Sequence, residues 1–210
     1  PVSASESKVR LEKDVEMELE KATRYRALAA RLNYLAADRP DLLFASKCAS
    51  KHMACPREGD WEVLKRVGRY LKGATRLVQR FEWAEKGETD LVGFADSDWA
   101  GDRQDMKSTS GSVIRLGSHS VKLWSSTQKS IALSSGEAEY YALVKGGSIG
   151  IGISSMLSDF GVVVDSRLHI HIDSSAAKGI CSRRGLGKVR HIDIHMLWIQ
   201  DRVYKGDIII

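Results

Sequence analysis

Three carboxylates in this chain stand where they could do chemistry together. Asp96 closes the apolar run LVGFA and Asp173 closes LHIHI, so each falls at the end of a strand expected to be buried. If those strands are parallel neighbours joined through the intervening helix, their ends lie side by side at the edge where α/β sheets bind ligands. Two carboxylates there repel each other and are tolerated when a divalent cation neutralises them. Hard oxygen ligands select magnesium or manganese over zinc. Glu139 is the third candidate, in the first turns of a helix expected to begin near Ser134, on an inward face set by Leu143 four residues on. Glu137, three residues after Ser134, has the spacing of a capping box and is read as the cap. Other readings stay open here: both aspartates as strand-terminal turn residues, and Glu139 as an acid favoured by the dipole at a helix start.

The elements that must position these groups follow from periodicity. LVQRFEW, LVGFAD, GSVIRLG and SVKLWSS read as short strands in a meander, and LHIHID as a further strand. A helix from Ser134, a short helix in SSAAKGI, a basic loop SRRGLGKVRH and a last helix IDIHMLWIQDRVYKG complete an α/β layered domain over 76–210. Before it, three helices are expected over 24–75. The first carries Tyr25, Leu28, Leu32 and Leu35 at helical spacing; the second opens with Pro40 and turns Leu43, Ala45, Cys48 and Ala49 inward before Pro56. The third has Asp60 as N-cap, a stripe of Trp61, Leu64, Val67 and Leu71, and Gly73 as its stop. Residues 1–23 form a polar N-terminal segment.

The 210 residues carry a net charge of +5, compatible with a polyanionic partner but too common to name one. No apolar run approaches the roughly 18 residues of a membrane span, and the polar N-terminus lacks a secretory signal, so no membrane role is expected. The absence of an initiator Met leads us to read the chain as a piece of a longer polypeptide. Cys48, Cys55 and Cys181 form no CxxC pair and are expected as reduced thiols in a cytosolic or nuclear setting.

Four stretches occur in order: LVGFADSDWAGDRQDMKSTSGSV, STQKSIALSSGEAEYYAL, LHIHIDSSAA and KVRHIDIHMLWIQD. Together they resemble the ribonuclease H domain of copia-type (Pseudoviridae) retrotransposon Pol polyproteins. YRALAARLNYLAADRPDLLFA and DWEVLKRVGRYLKG resemble the segment that connects reverse transcriptase to it. The resemblance covers roughly 24–208. It implies an α/β, ribonuclease H-like mixed five-stranded sheet flanked by helices, with an N-terminal helical annex. It implies a metal-dependent endonuclease that hydrolyses the RNA strand of RNA/DNA hybrids during reverse transcription. Asp96 would be the first metal ligand, with Asp98 its rival; Glu139 the second; Asp173 the third; and Asp193, in RHIDI, the fourth, with His191 as rival or as a helper in releasing product. The implied cofactor is Mg²⁺, two ions, with Mn²⁺ as substitute. The implied partners are the hybrid and the reverse-transcriptase portion of the same polyprotein. The implied location is the cytoplasm, within virus-like particles, or the nucleus.

Hybrid contacts are expected through phosphates and the wide minor groove rather than through base reading. Candidates are Lys107, Ser108, Thr109 and Ser110 after the first motif, and Arg183, Arg184, Lys188, Arg190 and His191 before Asp193. The chain lacks the paired aspartates of a polymerase. One departure stands out: KGGSIGIGISS places Gly146, Gly147, Gly150 and Gly152 where the relatives have a continuous helix. At about 1 kcal/mol for each interior glycine, fraying or a break is expected there. The alternative function is therefore a decayed or repurposed copy that binds nucleic acid without efficient cleavage.

Overall fold

The computed structural model describes residues 15–82, 90–102, 104–162, 167–187 and 189–210. The chain divides into two compact units, Pro1–Gln79 and Arg80–Ile210.

The first unit is helical: α1 (Leu19–Asp38), a 3-10 turn (Pro40–Leu42), α2 (Leu43–Lys51) and α3 (Asp60–Gly73). Its core gathers Ala22, Tyr25, Ala29, Leu32, Ala36, Leu42, Ala49 and Val67, and the Tyr25 hydroxyl donates to the Ala49 carbonyl oxygen at 2.7 Å. Of the expected α1 stripe, Tyr25 and Leu32 are buried and Leu35 is partly buried, but Leu28 is not. Ala29 is fully buried while Leu28 is 40% exposed, because small alanines let the neighbouring helix approach closely. Helix α1 also begins within the segment read as a polar N-terminal segment, at Leu19. Asp60 is not the N-cap of α3; Gly59 is, and the Asp60 carboxylate instead accepts the Arg57 N–H at 2.7 Å.

The second unit is a mixed sheet with helices. Among the described residues it comprises β1 (Leu91–Asp102), β2 (Lys107–Leu116), β3 (His119–Thr127), α4 (Ser135–Asp159), β4 (Leu168–His171), α5 (Ser175–Cys181), a 3-10 turn (Ile194–Leu197), α6 (Trp198–Lys205) and β5 (Ile208–Ile209). The five strands lie in the order β3-β2-β1-β4-β5; β1, β4 and β5 are parallel, and β2 is antiparallel to both of its neighbours. Leu91, Ala95, Ile114, Leu168 and Ile170 from the sheet form one core with Tyr140, Leu143, Ile180 and Ile199 from the helices.

Two expectations are corrected. Residues 77–82 of LVQRFEW are not a strand, and Leu77, Val78 and Phe81 are exposed. The fifth strand is instead the terminal Ile208–Ile209. Gly206, in the left-handed region at φ 82°, ends α6 and lets the chain turn to pair Ile208 with Leu168. The last helix is also broken, a 3-10 turn preceding α6.

The glycine-rich stretch does not break α4, which runs unbroken for 25 residues. A Cβ at Gly150 would sit 2.4 Å from Leu168 Cδ2, and one at Gly147 would sit 3.1 Å from Ile199 Cδ1. These glycines let α4 lie close against β4 and α6, and that packing offsets their low helix propensity.

Candidate metal centre

Strands β1 and β4 are parallel neighbours, with Phe94 paired to His171 as the last pair of their ladder. Asp96 and Asp173 each lie two residues past that pair; Asp173 follows the end of β4 as expected, but Asp96 is not at a strand end, since β1 runs on to Asp102 paired with β2. Residue alternation along β1 turns Leu91, Gly93 and Ala95 inward toward the core. Ser97 continues that row, and there it meets α4: the Ser97 N–H and hydroxyl both donate to Glu139 Oε1, at 3.0 and 3.1 Å. Ser97 was not singled out from the sequence, although its parity with Ala95 was the signal that could have found it.

Asp96, Glu139 and Asp173 each place a carboxylate oxygen within 4.8 Å of the others. Glu139 is buried, while both aspartates are exposed. Burial raises the Glu139 pKa above its ordinary value, the Ser97 bonds oppose that, and the charges of Asp96 and Asp173 add to the rise. Glu139 Oε2 is buried and has no hydrogen-bond partner. A buried carboxylate oxygen left without a donor beside two more carboxylates fits a divalent cation, and the all-oxygen donor set suits magnesium or manganese.

The other candidates are placed differently. Asp98 turns to the β1–β2 hairpin and accepts the Thr109 N–H, next to a register shift between Asp98 and Asp102. Asp193 is exposed at the N-cap of the 3-10 turn Ile194–Leu197 and is not part of the three-carboxylate cluster. Its charge reaches Tyr141, whose pKa is raised by burial, by its bond to Glu137, and by Asp193. His191 Nε2 lies 2.7 Å from Glu137 Oε2.

Ser134 caps α4 as its spacing predicts, accepting the Glu137 N–H at 3.2 Å. The Glu137 carboxylate takes its backbone donor from Leu133, not from the Ser134 N-cap that a capping box requires. It accepts the Leu133 N–H at 3.0 Å and the Tyr141 hydroxyl at 2.6 Å besides facing His191. Burial pushes the Glu137 pKa up, but these three partners hold it below its ordinary value.

Of the residues expected at the hybrid surface, Ser108, Thr109 and Ser110 are buried. The Ser108 hydroxyl accepts the Ala100 N–H and the Ser110 hydroxyl accepts from Gln128 Nε2, so they hold the hairpin and the strand end rather than offering a surface. Lys107 is half-buried. Arg183 donates to the Leu186 carbonyl oxygen within its own loop, while Arg184 is exposed and its guanidinium lies 3.7 Å from the centre of the Tyr204 ring. Arg190 is exposed, and Lys188 lies outside the described residues.

A five-stranded mixed sheet flanked by helices thus brings three acidic groups together beside its parallel strands β1 and β4. No family model matches the chain. It is 34% identical over 186 residues, 88% of its length, to the retrovirus-related Pol polyprotein from transposon RE2 of Arabidopsis thaliana. It is also 38% identical over 117 residues, 56% of its length and 81% of the relative's, to the secreted RxLR effector protein 161 of Plasmopara viticola. Among solved structures, the N-terminal ribonuclease H domain of a Mycobacterium tuberculosis protein is 18% identical. That likeness covers 57% of this chain and 76% of that one at a TM-score of 0.39, too low to bear on the fold. The chain's homologues at 30–34% identity over most of its length are retrovirus-related Pol polyproteins from copia-type transposons. The chain spans 13% of the length of the RE2 polyprotein.

Proposed function

We propose that the second unit is a metal-dependent endonuclease that hydrolyses the RNA strand of RNA/DNA hybrids during retrotransposon reverse transcription, alongside the reverse-transcriptase portion of its polyprotein. The observation that carries this reading is the convergence of Asp96, Glu139 and Asp173 within 4.8 Å, with one buried Glu139 oxygen left without a donor. These three residues would hold Mg²⁺, or Mn²⁺ in its place, with Asp193 as the fourth carboxylate. Bound there, a pair of such ions supplies the charge that activates water and stabilises the leaving ribose oxygen.

The chain's own residues have separate tasks. Ser97 fixes one oxygen of Glu139 and so leaves the other free for the cation. The packing of α4 on β1 and β4 sets the spacing of the three acids. Arg184 and Arg190, both exposed, would meet the phosphate backbone. Backbone and groove contacts of this kind are indifferent to base sequence, as a general hybrid nuclease requires.

The test is incubation of the purified chain with a labelled RNA/DNA hybrid, with magnesium and with chelator, and with duplex RNA and duplex DNA as controls. Cleavage of the RNA strand only, dependent on magnesium and lost in Asp96→Asn and Asp173→Asn, is the expected result. One observation favours a second reading, a protein that binds hybrid but cuts it poorly: Asp193 stands outside the cluster. Hybrid binding in calcium without cleavage in magnesium would establish it.

A further inference from the structure

Glu137 is 2% exposed, and burying a carboxylate is costly unless its oxygens are satisfied. One donor to it is a backbone group, the N–H of Leu133 just before the Ser134 N-cap. The other two partners are side chains: Tyr141, one turn along α4, and His191, 54 residues away in the segment that leads to Asp193. Two residues along a helix are about 200° apart, so Glu137 and Glu139 leave α4 on opposite sides. Glu139 faces β1 through Ser97, and Glu137 faces the segment 189–193 through His191. That segment is also tied down by buried Ile192, whose N–H donates to the Val189 carbonyl oxygen. The head of α4 is thus joined on one side to the metal cluster and on the other to the strip carrying Arg190 and Asp193.

We propose that Glu137 is a positioning residue: by clasping His191 it holds the segment Arg190–Asp193 against the head of α4, and so sets where the Asp193 carboxylate stands relative to Asp96, Glu139 and Asp173. This rests on the reading of those three acids as a divalent-cation site. A residue acting on the ligand set from behind changes metal affinity without touching the metal, by roughly 10- to 100-fold in comparable sites. A glutamate serving only as a helix cap would not.

The experiment uses the full chain and the variants Glu137→Ala, His191→Ala, the double variant, and His191→Gln, whose side-chain amide keeps a donor at similar reach. Mn²⁺ affinity is measured by titration calorimetry, and amide hydrogen exchange is followed across residues 189–193 and across the sheet. We expect each alanine variant to bind Mn²⁺ about tenfold more weakly. The double variant should be no worse than the weaker single, because one link is broken in either case. His191→Gln should recover most of the loss. Exchange should quicken at 189–193 while the amides of β1 and β4 keep their protection. Affinity within twofold of the parent in both single variants, losses that multiply in the double variant, or faster exchange throughout the sheet would each overturn the proposal. A parent chain that binds no Mn²⁺ would sink the cation-site reading instead. The exchange measurement would then decide the clasp alone, and unchanged exchange at 189–193 in Glu137→Ala would refute it.

Discussion

Gly150 and Gly152 lie two residues apart in α4, and the same substitution should move stability in opposite directions at the two positions. Replacing an exposed interior helix glycine with alanine gains about 1 kcal/mol by restricting the unfolded chain and favouring the helix. At Gly152 a Cβ meets nothing within 4 Å, so Gly152→Ala should collect most of that gain. At Gly150 the Cβ would lie 2.4 Å from Leu168 Cδ2, 2.9 Å from Cδ1 and 3.2 Å from Cγ. Both methyls and their branch point are in the way, so turning χ2 alone does not clear them, and Leu168 is 2% exposed with little room to retreat. Overpacking of this kind costs about 2–3 kcal/mol, which leaves a net loss of about 1–2 kcal/mol after the propensity gain. At about 4 °C per kcal/mol for a unit of this size, Gly150→Ala should lower Tm by about 4–8 °C and Gly152→Ala should raise it by about 2–4 °C. Thermal and urea unfolding followed by circular dichroism would measure both. Combining Gly150→Ala with Leu168→Ala removes the collision, so in that background the alanine at 150 should stabilise. If Gly150→Ala raises Tm as much as Gly152→Ala does, the close approach of α4 to β4 is not the reason for the glycine. The case against decay of this helix then falls with it.

Other expectations concern charge. In chelator, Asp96→Asn and Asp173→Asn should each raise Tm, since each removes one of three mutually repelling carboxylates. Both should also abolish any Tm increase on adding magnesium; a fall in chelator would mean the acids are held by contacts other than a cation. Burial raises the folded pKa of Glu139 above its unfolded value, so its contribution is most favourable below the ordinary carboxylate range. Stability of the metal-free chain should therefore decline as pH rises through that range and just above it. Glu139→Gln should flatten that part of the profile, and an unchanged profile would refute the assignment. In the first unit the sign is opposite: the Arg39 guanidinium and the Tyr70 hydroxyl hold the Asp41 pKa below its ordinary value. Its stabilisation is present above the unfolded pKa and lost as pH falls through the folded one. Asp41→Asn should thus lower Tm at neutral pH and make little difference in strong acid, as melting across pH would record.

Much of the fold can be read from periodicity because each element's inward face is apolar and regular. The alternation in LVGFA and LHIHI marks two strands with buried faces, and both are found where expected, paired in parallel. LVQRFEW has an equally strand-like pattern and is not a strand, while Ile208–Ile209 is one with no pattern to speak of. Strand formation depends on an edge to pair with, and that is a property of the assembled sheet. The edge of β4 is free to take Ile208, and nothing in the local sequence announces it. The glycines of α4 mislead for a related reason. Propensity counts each as a defect, whereas at Gly150 the absent side chain is what lets the helix reach the sheet.

The site divides along the same line. Asp96 and Asp173 could be paired from sequence because a single condition, parallel neighbouring strands, places both at the same level, and β1 and β4 satisfy it, although β1 runs on past Asp96 to Asp102. Glu139 follows from helical spacing alone. Glu137 could not be resolved in this way. Its spacing from Ser134 accounts for the bond from its N–H to the Ser134 hydroxyl, but its contact with His191 spans 54 residues and depends on how the chain returns after α5. Ser108, Thr109 and Ser110 fail for a matching reason: polar residues after an acidic motif look like a surface. All three lie buried, and the hydroxyls of Ser108 and Ser110 serve the Ala100 N–H and Gln128 instead of solvent. Polar residues can therefore be assigned to a site from sequence when an element's own geometry dictates their direction. Where a distant segment supplies the partner, as His191 does for Glu137, the role emerges only from the folded chain.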